Sequence, residues 1–287
     1  MGDIYLGLVI LVLLDSLLFG VGLVLGRRVS LQWVNLLAIG AFCGLAGYTF
    51  WLWDAVVLAR LLPVSNLIVL SNWFPLAAGF LGGLAFAQRD RTQWRRWLPV
   101  FSLQAAAFWT VLWPLMGEVP VCGNEWDKTG VCLQTTDKSC SAAAAATLLS
   151  MYGIPATEQE MAELCFTRTG TNWMGLYRGL KKKTANTTWD VETFVCSADD
   201  LPAFNQPAIL SVGLTTRSNV DPVYQTEWGW TPGVRHSVVL LGFLDATQVE
   251  IGESANYVGR DRWTTESLRQ LFQGQGLRLV QRGEAKK

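Results

Sequence analysis

Histidine is almost missing: His236 is the only one in 287 residues. Any chemistry that needs an imidazole base therefore has a single candidate. Charge is scarce as well, at 16% Asp, Glu, Lys and Arg, with 23 residues of each sign. The chain has no basic stripe beyond Lys181–Lys183, a triplet that reads as a solvated helix end, and nucleic acid is excluded as a partner. No G-x-x-x-x-G-K-[ST] segment occurs, so no phosphate cradle is expected, and neither nucleotide nor cofactor is implied. Internal repeats are absent, and the only low-complexity tract is the alanine run Ala142–Ala146.

Apolar residues are abundant, at 51% with a mean hydropathy of +0.26 and 14 tryptophans. They gather at the front. Residues 1–116 hold seven Lys/Arg and four Asp/Glu, against 16 and 19 in the remainder. Two units follow, an all-α membrane region of four helices over 1–116 and a mildly acidic domain over 117–287. The spans Tyr5–Gly26, Leu31–Trp53, Val64–Phe86 and Leu98–Met116 are each about long enough to cross a hydrocarbon core of about 30 Å. The first carries Asp3 at its start and its basic pair Arg27-Arg28 at its end, unlike a cleaved signal peptide. Arg27 and Arg28 in the first loop, and Arg89, Arg91, Arg95 and Arg96 in the third, put those loops in the cytoplasm, against Arg60 alone in the second. Both termini and the second domain are then expected outside a membrane of the bacterial cytoplasmic kind. Asp15, midway along the first span, reads as a carboxyl packed against Asn72 or Gln104. Trp51, Trp53, Trp73 and Trp113 read as interfacial anchors.

In the second unit, QTTDKSCSAAAAATLL sets a cysteine against a run that is strongly helix-forming. With Asp137 as N-cap, Cys140 falls at N3, where free N–H groups and the helix dipole favour a thiolate. His236 opens the apolar run HSVVLLGFL, and VEIGES follows a two-residue turn at Asp245-Ala246. That hairpin sets Leu244 opposite Thr247 and Val238 opposite Glu253, so His236 lies diagonally beside Glu253 on one face. Glu253 can orient the imidazole, and Gln134 is a natural donor to an oxyanion.

These segments resemble the bacteriocin-processing, or double-glycine, cysteine peptidases of the papain-like group. The resemblance is carried by QTTDKSC, by GIPATEQEMAELCFTRTGTNWMGL and by HSVVLLGF with VEIGES, and covers roughly residues 130–275. It implies an α+β papain-like domain with Cys140 as nucleophile, His236 as base, Glu253 where the family usually has Asp, and Gln134 at the oxyanion. Ser141 stands where the family usually has Gly. The family's fusion to an exporter is not matched by a nucleotide-binding segment here, and its double-glycine preference does not carry over.

Cys122 and Cys132 fit no zinc spacing, so no metal is expected, and in an oxidising compartment they are expected to form a disulfide closing a short loop. Cys165 and Cys196 are left open between pairing and burial, and Cys43 lies in a span. Thr157 with Glu160 forms a capping box for a helix through Cys165, and Trp173–Leu180 forms the next. Strands follow at Val191–Cys196, Pro207–Val212, the His236 hairpin and Leu277–Val280, with Thr264 capping a helix through Phe272. Between Gly213 and Arg235 runs a long loop with Tyr224, Trp228 and Trp230. Trp173, Trp228 and Trp230 are the substrate-contact candidates; the loop reads as a substrate rim or a membrane-surface contact, and the alternative for its two tryptophans is inward packing. The chain thus reads as a membrane-anchored cysteine endopeptidase acting on a peptide or protein. The alternatives are an inactive papain-like peptide-binding module and an acyltransferase or transglutaminase-like use of the same triad.

Overall fold

The computed structural model describes every residue except 54, 89–91, 216–219 and 284–287, and the side chain of Asn256. Arg89 and Arg91, which support the expected orientation, thus lie outside the described residues, as do four positions of the long loop. The chain divides into Met1–Leu58 with Asn66–Met116, and Gly117–Lys287 with Ala59–Ser65.

The first unit holds α1 (Gly2–Arg28), α2 (Leu31–Gly47, continued as a π-turn through Leu52), the start of the short α3 (Val57–Leu61), α4 (Leu67–Leu70), α5 (Phe74–Phe86) and α6 (Gln93–Leu112). Four stretches are long and apolar enough to cross a membrane: Gly2–Arg28, Leu31–Leu52, Leu67–Phe86 and Gln93–Leu115. The third is broken at Ser71–Trp73, which the sequence reading made continuous. Pro75, lacking an N–H, sits in the first turn of α5 and so cannot be an interior residue of a helix running through from α4. Asn72 braces the break just before the Trp73 N-cap, its Oδ1 accepting from the Phe74 N–H at 3.2 Å, while its amide donates to Thr110 at 2.9 Å. Helices α1 and α5 meet backbone to backbone, since a Cβ on Gly83 would collide with the Phe19 carbonyl and one on Gly22 with that of Phe80. Asp15 is buried, and Gln104 Nε2 donates to it at 2.8 Å.

The second unit has helices first: α7 (Cys140–Met151), α8 (Glu158–Leu164) and α9 (Trp173–Thr184). Strands β1 (Trp189–Val195), β2 (Ala208–Gly213), β3 (Arg235–Phe243), β4 (Gln248–Glu253), β5 (Gly259–Thr264) and β6 (Phe272–Gln281) follow, with α10 (Val223–Thr226) and α11 (Thr265–Leu271) between them. They form one antiparallel sheet in the order β1-β6-β2-β3-β4-β5, the α+β arrangement expected from the sequence. Alternate residues of the central strands, Leu210, Val212, Val238, Leu240, Val249 and Ile251, fill a core with Trp263, Leu268 and Leu271. Helix α7 packs against β2, β3 and β4, and its alanines 142–146 are all buried, their small side chains letting the helix lie close. This places the start of α7 beside the start of β3.

The Cys122–Cys132 disulfide is not formed; both are free, buried thiols. The register explains why. Trp126 pairs with Cys132, the Asp127 N–H donates to the Val131 carbonyl at 2.9 Å, and the Leu133 N–H to the Glu125 carbonyl at 2.9 Å. Trp126, not Cys122, is therefore opposite Cys132, and the loop is closed by main-chain bonds. Asp127 reinforces the closure by accepting from the Thr129 and Val131 N–H groups at 2.9 and 2.8 Å. Burial and the nearby Glu158 carboxylate push the thiols up to about 11 for Cys122 and about 12 for Cys132. Cys165 and Cys196 are likewise unpaired.

Candidate active site

Helix α7 begins two residues later than the run of caps suggested. Ser139, not Asp137, is its N-cap. Residues 136–139 are knitted into a turn of their own, in which Thr136 Oγ1 donates to Ser139 Oγ at 2.8 Å and the Thr136 N–H reaches the same oxygen at 3.2 Å. Asp137 is left exposed on that turn. Cys140 is therefore the first helical residue rather than the third. Its N–H is one that the helix itself does not use, so it stays available beside its own sulfur.

His236 arrives on β3 by a register in which two departures cancel. The turn is longer than expected, with Phe243 opposite Val249 and the Leu244 N–H donating to the Gln248 carbonyl. A shift between Leu240 and Gly242 then restores the pairing, so that Leu240 faces Ile251 and Val239 faces Gly252. Carried one residue further, this sets Val238 opposite Glu253 and His236 diagonally beside it. His236 Nε2 lies 2.8 Å from Glu253 Oε1, and the Ala255 N–H donates to the same oxygen at 2.6 Å. Glu253 is fully buried, and its Oε2 has no partner among the described residues. Nε2 is held by the carboxylate, and the ring and the Cys140 sulfur act on one another electrostatically.

The electrostatics follow from that order. Burial alone would lower His236, but the Glu253 carboxylate and the Cys140 sulfur outweigh it and raise the imidazole from 6.5 to about 10. Burial alone would raise Cys140. The His236 charge, its hydrogen bond, the Ser237 N–H and the Ser141 hydroxyl outweigh it, and the thiol falls below its ordinary value. Each of the two groups thus favours the charged form of the other.

Gln134 completes the group. Its N–H donates to the Ser254 carbonyl at 2.9 Å and its Oε1 accepts from Ser254 Oγ at 3.2 Å. The amide nitrogen is thereby turned away from Ser254, and it donates one proton to the Thr136 carbonyl at 3.3 Å. Cys140, His236 and Gln134 line one cleft of about 580 Å³ with Trp228, Trp230 and Tyr257. Trp230 is packed inward and also lies on the cleft wall, its ring 4.7 Å from that of His236, in a cluster with Tyr224, Trp228 and Trp263. Trp173 is not brought there. It opens α9, where the Asn172 side chain accepts from the Met174 N–H.

Glu158 is a residue the sequence reading passed over. Fully buried, it accepts from the Thr135 N–H and hydroxyl at 2.7 and 2.8 Å and from the Asn124 N–H at 3.3 Å, fixing the extended segment next to Gln134. Its neighbour Thr157 does cap Glu160, but Glu160 turns outward to Lys183, so half of the expected capping box is made. Among the described residues, no group of three or more His, Cys, Asp or Glu is placed to hold a metal ion.

No family model and no curated protein matches the sequence. Solved structures similar to the second unit include the peptidase domain of Streptococcus ComA, a bifunctional ABC transporter of a quorum-sensing pathway, at 20% identity and a TM-score of 0.42, covering 52% of this chain and 96% of that one. A double glycine motif protease from an AMS/PCAT transporter, in complex with its leader peptide, is similar at 19% identity and a TM-score of 0.40, covering 53% and 90%. The peptidase domain of Streptococcus mutans ComA follows at 19% identity and 0.37, covering 53% and 98%. These are the proteins that the sequence segments resemble.

Proposed function

We propose that the chain is a membrane-anchored cysteine endopeptidase. The observation that carries this reading is the convergence of Cys140, His236 and Gln134 on one cleft, with the buried Glu253 held 2.8 Å behind the imidazole. In the reaction, the Cys140 thiolate attacks a peptide carbonyl and forms the S–C bond. The oxyanion is met by the Cys140 N–H and the Gln134 amide. His236 gives its Nδ1 proton to the departing amine as the C–N bond breaks, leaving an acyl-enzyme. Neutral His236 then takes a proton from water, whose oxygen attacks the acyl carbon and releases the thiolate. Glu253 holds the ring and stabilises its charged form throughout.

The four apolar helices support residues 1–116 as an anchor in a lipid bilayer, and 117–287 as the peptidase domain. Arg27 and Arg28, with Arg95 and Arg96, support cytoplasmic first and third loops and a peptidase domain outside. With Cys122 and Cys132 unpaired, this orientation rests on the arginines alone. The substrate is a peptide or protein bound along the cleft, with Trp228 and Trp230 as contacts. The test is alkylation and hydrolysis in the full chain: iodoacetamide labels Cys140 first, and Cys140→Ala loses peptide hydrolysis. Hydrolysis that survives in Cys140→Ala removes the proposal.

A further inference from the structure

The residues that follow the nucleophile and the base are both serines, and they meet. Ser141 Oγ and Ser237 Oγ are 2.8 Å apart, joining α7 to β3 one residue beyond Cys140 and His236. Ser141 is 6% exposed, so water competes little for its hydroxyl. Its oxygen also lies 4.0 Å from Cys140 Sγ. A hydroxyl has one proton and two lone pairs. If Ser141 spends its proton on Ser237, none is left for the sulfur. If Ser237 donates to Ser141, the Ser141 proton is free to turn to Sγ, and a thiolate favours that arrangement because it is an anion.

We propose that Ser141 is a positioning residue for the nucleophile: Ser237 donates to Ser141, and this turns the Ser141 hydroxyl toward the Cys140 thiolate while pinning the start of α7 to β3. The proposal rests on the thiolate–imidazolium reading above. It gives a purpose to a serine at a position where a glycine could make neither bond. The charges around the sulfur are supplied by other residues: His236 on β3, Glu253 on β4, and Glu125, Asp137 and Arg235 along the cleft. All of them remain in the variants that test the two serines.

The test is the pH dependence of iodoacetamide alkylation at Cys140, followed by mass spectrometry of the peptide carrying it, in the full-length protein in detergent. Ser141→Ala is expected to move the midpoint upward by about half a unit to one unit, about three- to tenfold less thiolate at a fixed pH below the midpoint. Ser141→Gly, which needs no space, should do the same and stands in where alanine disturbs packing. Ser237→Ala should move it in the same direction by less, and Ser237→Thr, which keeps the hydroxyl, should restore it. Because Ser237 acts through Ser141, the double variant should be no worse than Ser141→Ala. A midpoint that stays put in both Ser141 variants, or additive effects of the two alanines, overturns the proposal. A wild-type midpoint at the value of an ordinary thiol would instead remove the thiolate reading beneath it, so the two failures are distinct.

Discussion

Glu253 touches His236 across the β3–β4 pair at 2.8 Å while being wholly withdrawn from solvent. The Ala255 N–H fixes the same carboxylate oxygen, and Glu253 raises the affinity of the His236 ring for a proton. The ring charge and the buried carboxylate therefore stand or fall together. Glu253→Gln removes the charge and keeps the shape. Its kcat should fall by about 10²-fold or more, in the range lost when acid–base catalysis is impaired. The imidazolium, no longer stabilised, should lose its proton at lower pH, moving the alkaline limb of the kcat/KM profile down. Glu253→Asp keeps the charge and should leave that limb nearer its place. A profile identical in wild type and Glu253→Gln would sink this account.

The same pair makes stability depend on pH. His236 binds its proton more tightly folded than unfolded, so its contribution is complete below about 6.5 and is lost as pH rises toward about 10. Cys140, lowered in the fold, acts in the opposite sense: its contribution is present above its unfolded value of 9.0 and is lost as pH falls through its folded one. Cys140→Ser removes that second effect. Thermal unfolding of this variant in detergent should then show stability declining from about pH 6.5 upward, and Glu253→Gln in the same background should flatten the decline.

Gln134 is oriented by Ser254, which fixes both its main chain and its amide oxygen. Gln134→Ala should lower kcat by about 10²- to 10³-fold, the usual loss of one oxyanion donor, with KM little changed. Ser254→Ala leaves the amide free to rotate and should give a smaller loss in kcat alone. If KM rises in Gln134→Ala while kcat holds, Gln134 binds substrate instead of the transition state.

Much of this site is written in local sequence. The helix after Cys140 is dictated by five alanines, and the sole histidine leaves one base. Glu253 was placed by period-2 alternation, and it survives because the longer turn and the shift at Leu241 offset one another. A pattern count sees neither. The helix start moved from Asp137 to Ser139 because Thr136 and Ser139 bond to each other, a choice between adjacent capping residues that propensity does not make. Glu158 was hidden as an ordinary first-turn acid, since its partners Thr135 and Asn124 are more than twenty residues away. Trp173 has the same composition signal as Trp230, and only the topology separates them.

Glu158 gives a prediction that joins stability to catalysis. Its carboxylate serves two main-chain N–H groups and a hydroxyl. Glu158→Ala should cost about 2 kcal/mol, since bonds to a charged acceptor are worth about 1.5–3 kcal/mol each, Thr135 is half-buried, and the exposed Asn124 N–H can turn to water. Glu158→Gln, which keeps one acceptor oxygen, should cost less. Because Thr135 adjoins Gln134, kcat should fall in both variants, with the labelling pH of Cys140 unchanged. Differential scanning of the full chain, with kcat measured well below the melting temperature, checks both effects.

The loop at residues 122–135 is held without a disulfide. Since Trp126 rather than Cys122 faces Cys132, the loop is held by its ladder and by Asp127. Removing the thiols should then matter less than removing the carboxylate. In the folded protein, both cysteines should be carbamidomethylated only after denaturation, with no mass deficit of two hydrogens under non-reducing conditions. Asp127→Ala should raise the protease sensitivity of this loop more than Cys122→Ser does. Burial raises Asp127, but its bonds to Thr129 and Val131 outweigh this and hold it below its ordinary value of 3.8, so the closure it provides is present above that pH and is lost as pH falls through its folded value. Limited proteolysis at neutral and at progressively lower pH separates the two contributions: wild type should approach the Asp127→Ala pattern only once the Asp127 carboxyl takes up its proton. A loop opened instead by reducing agent would mean that a disulfide holds it after all.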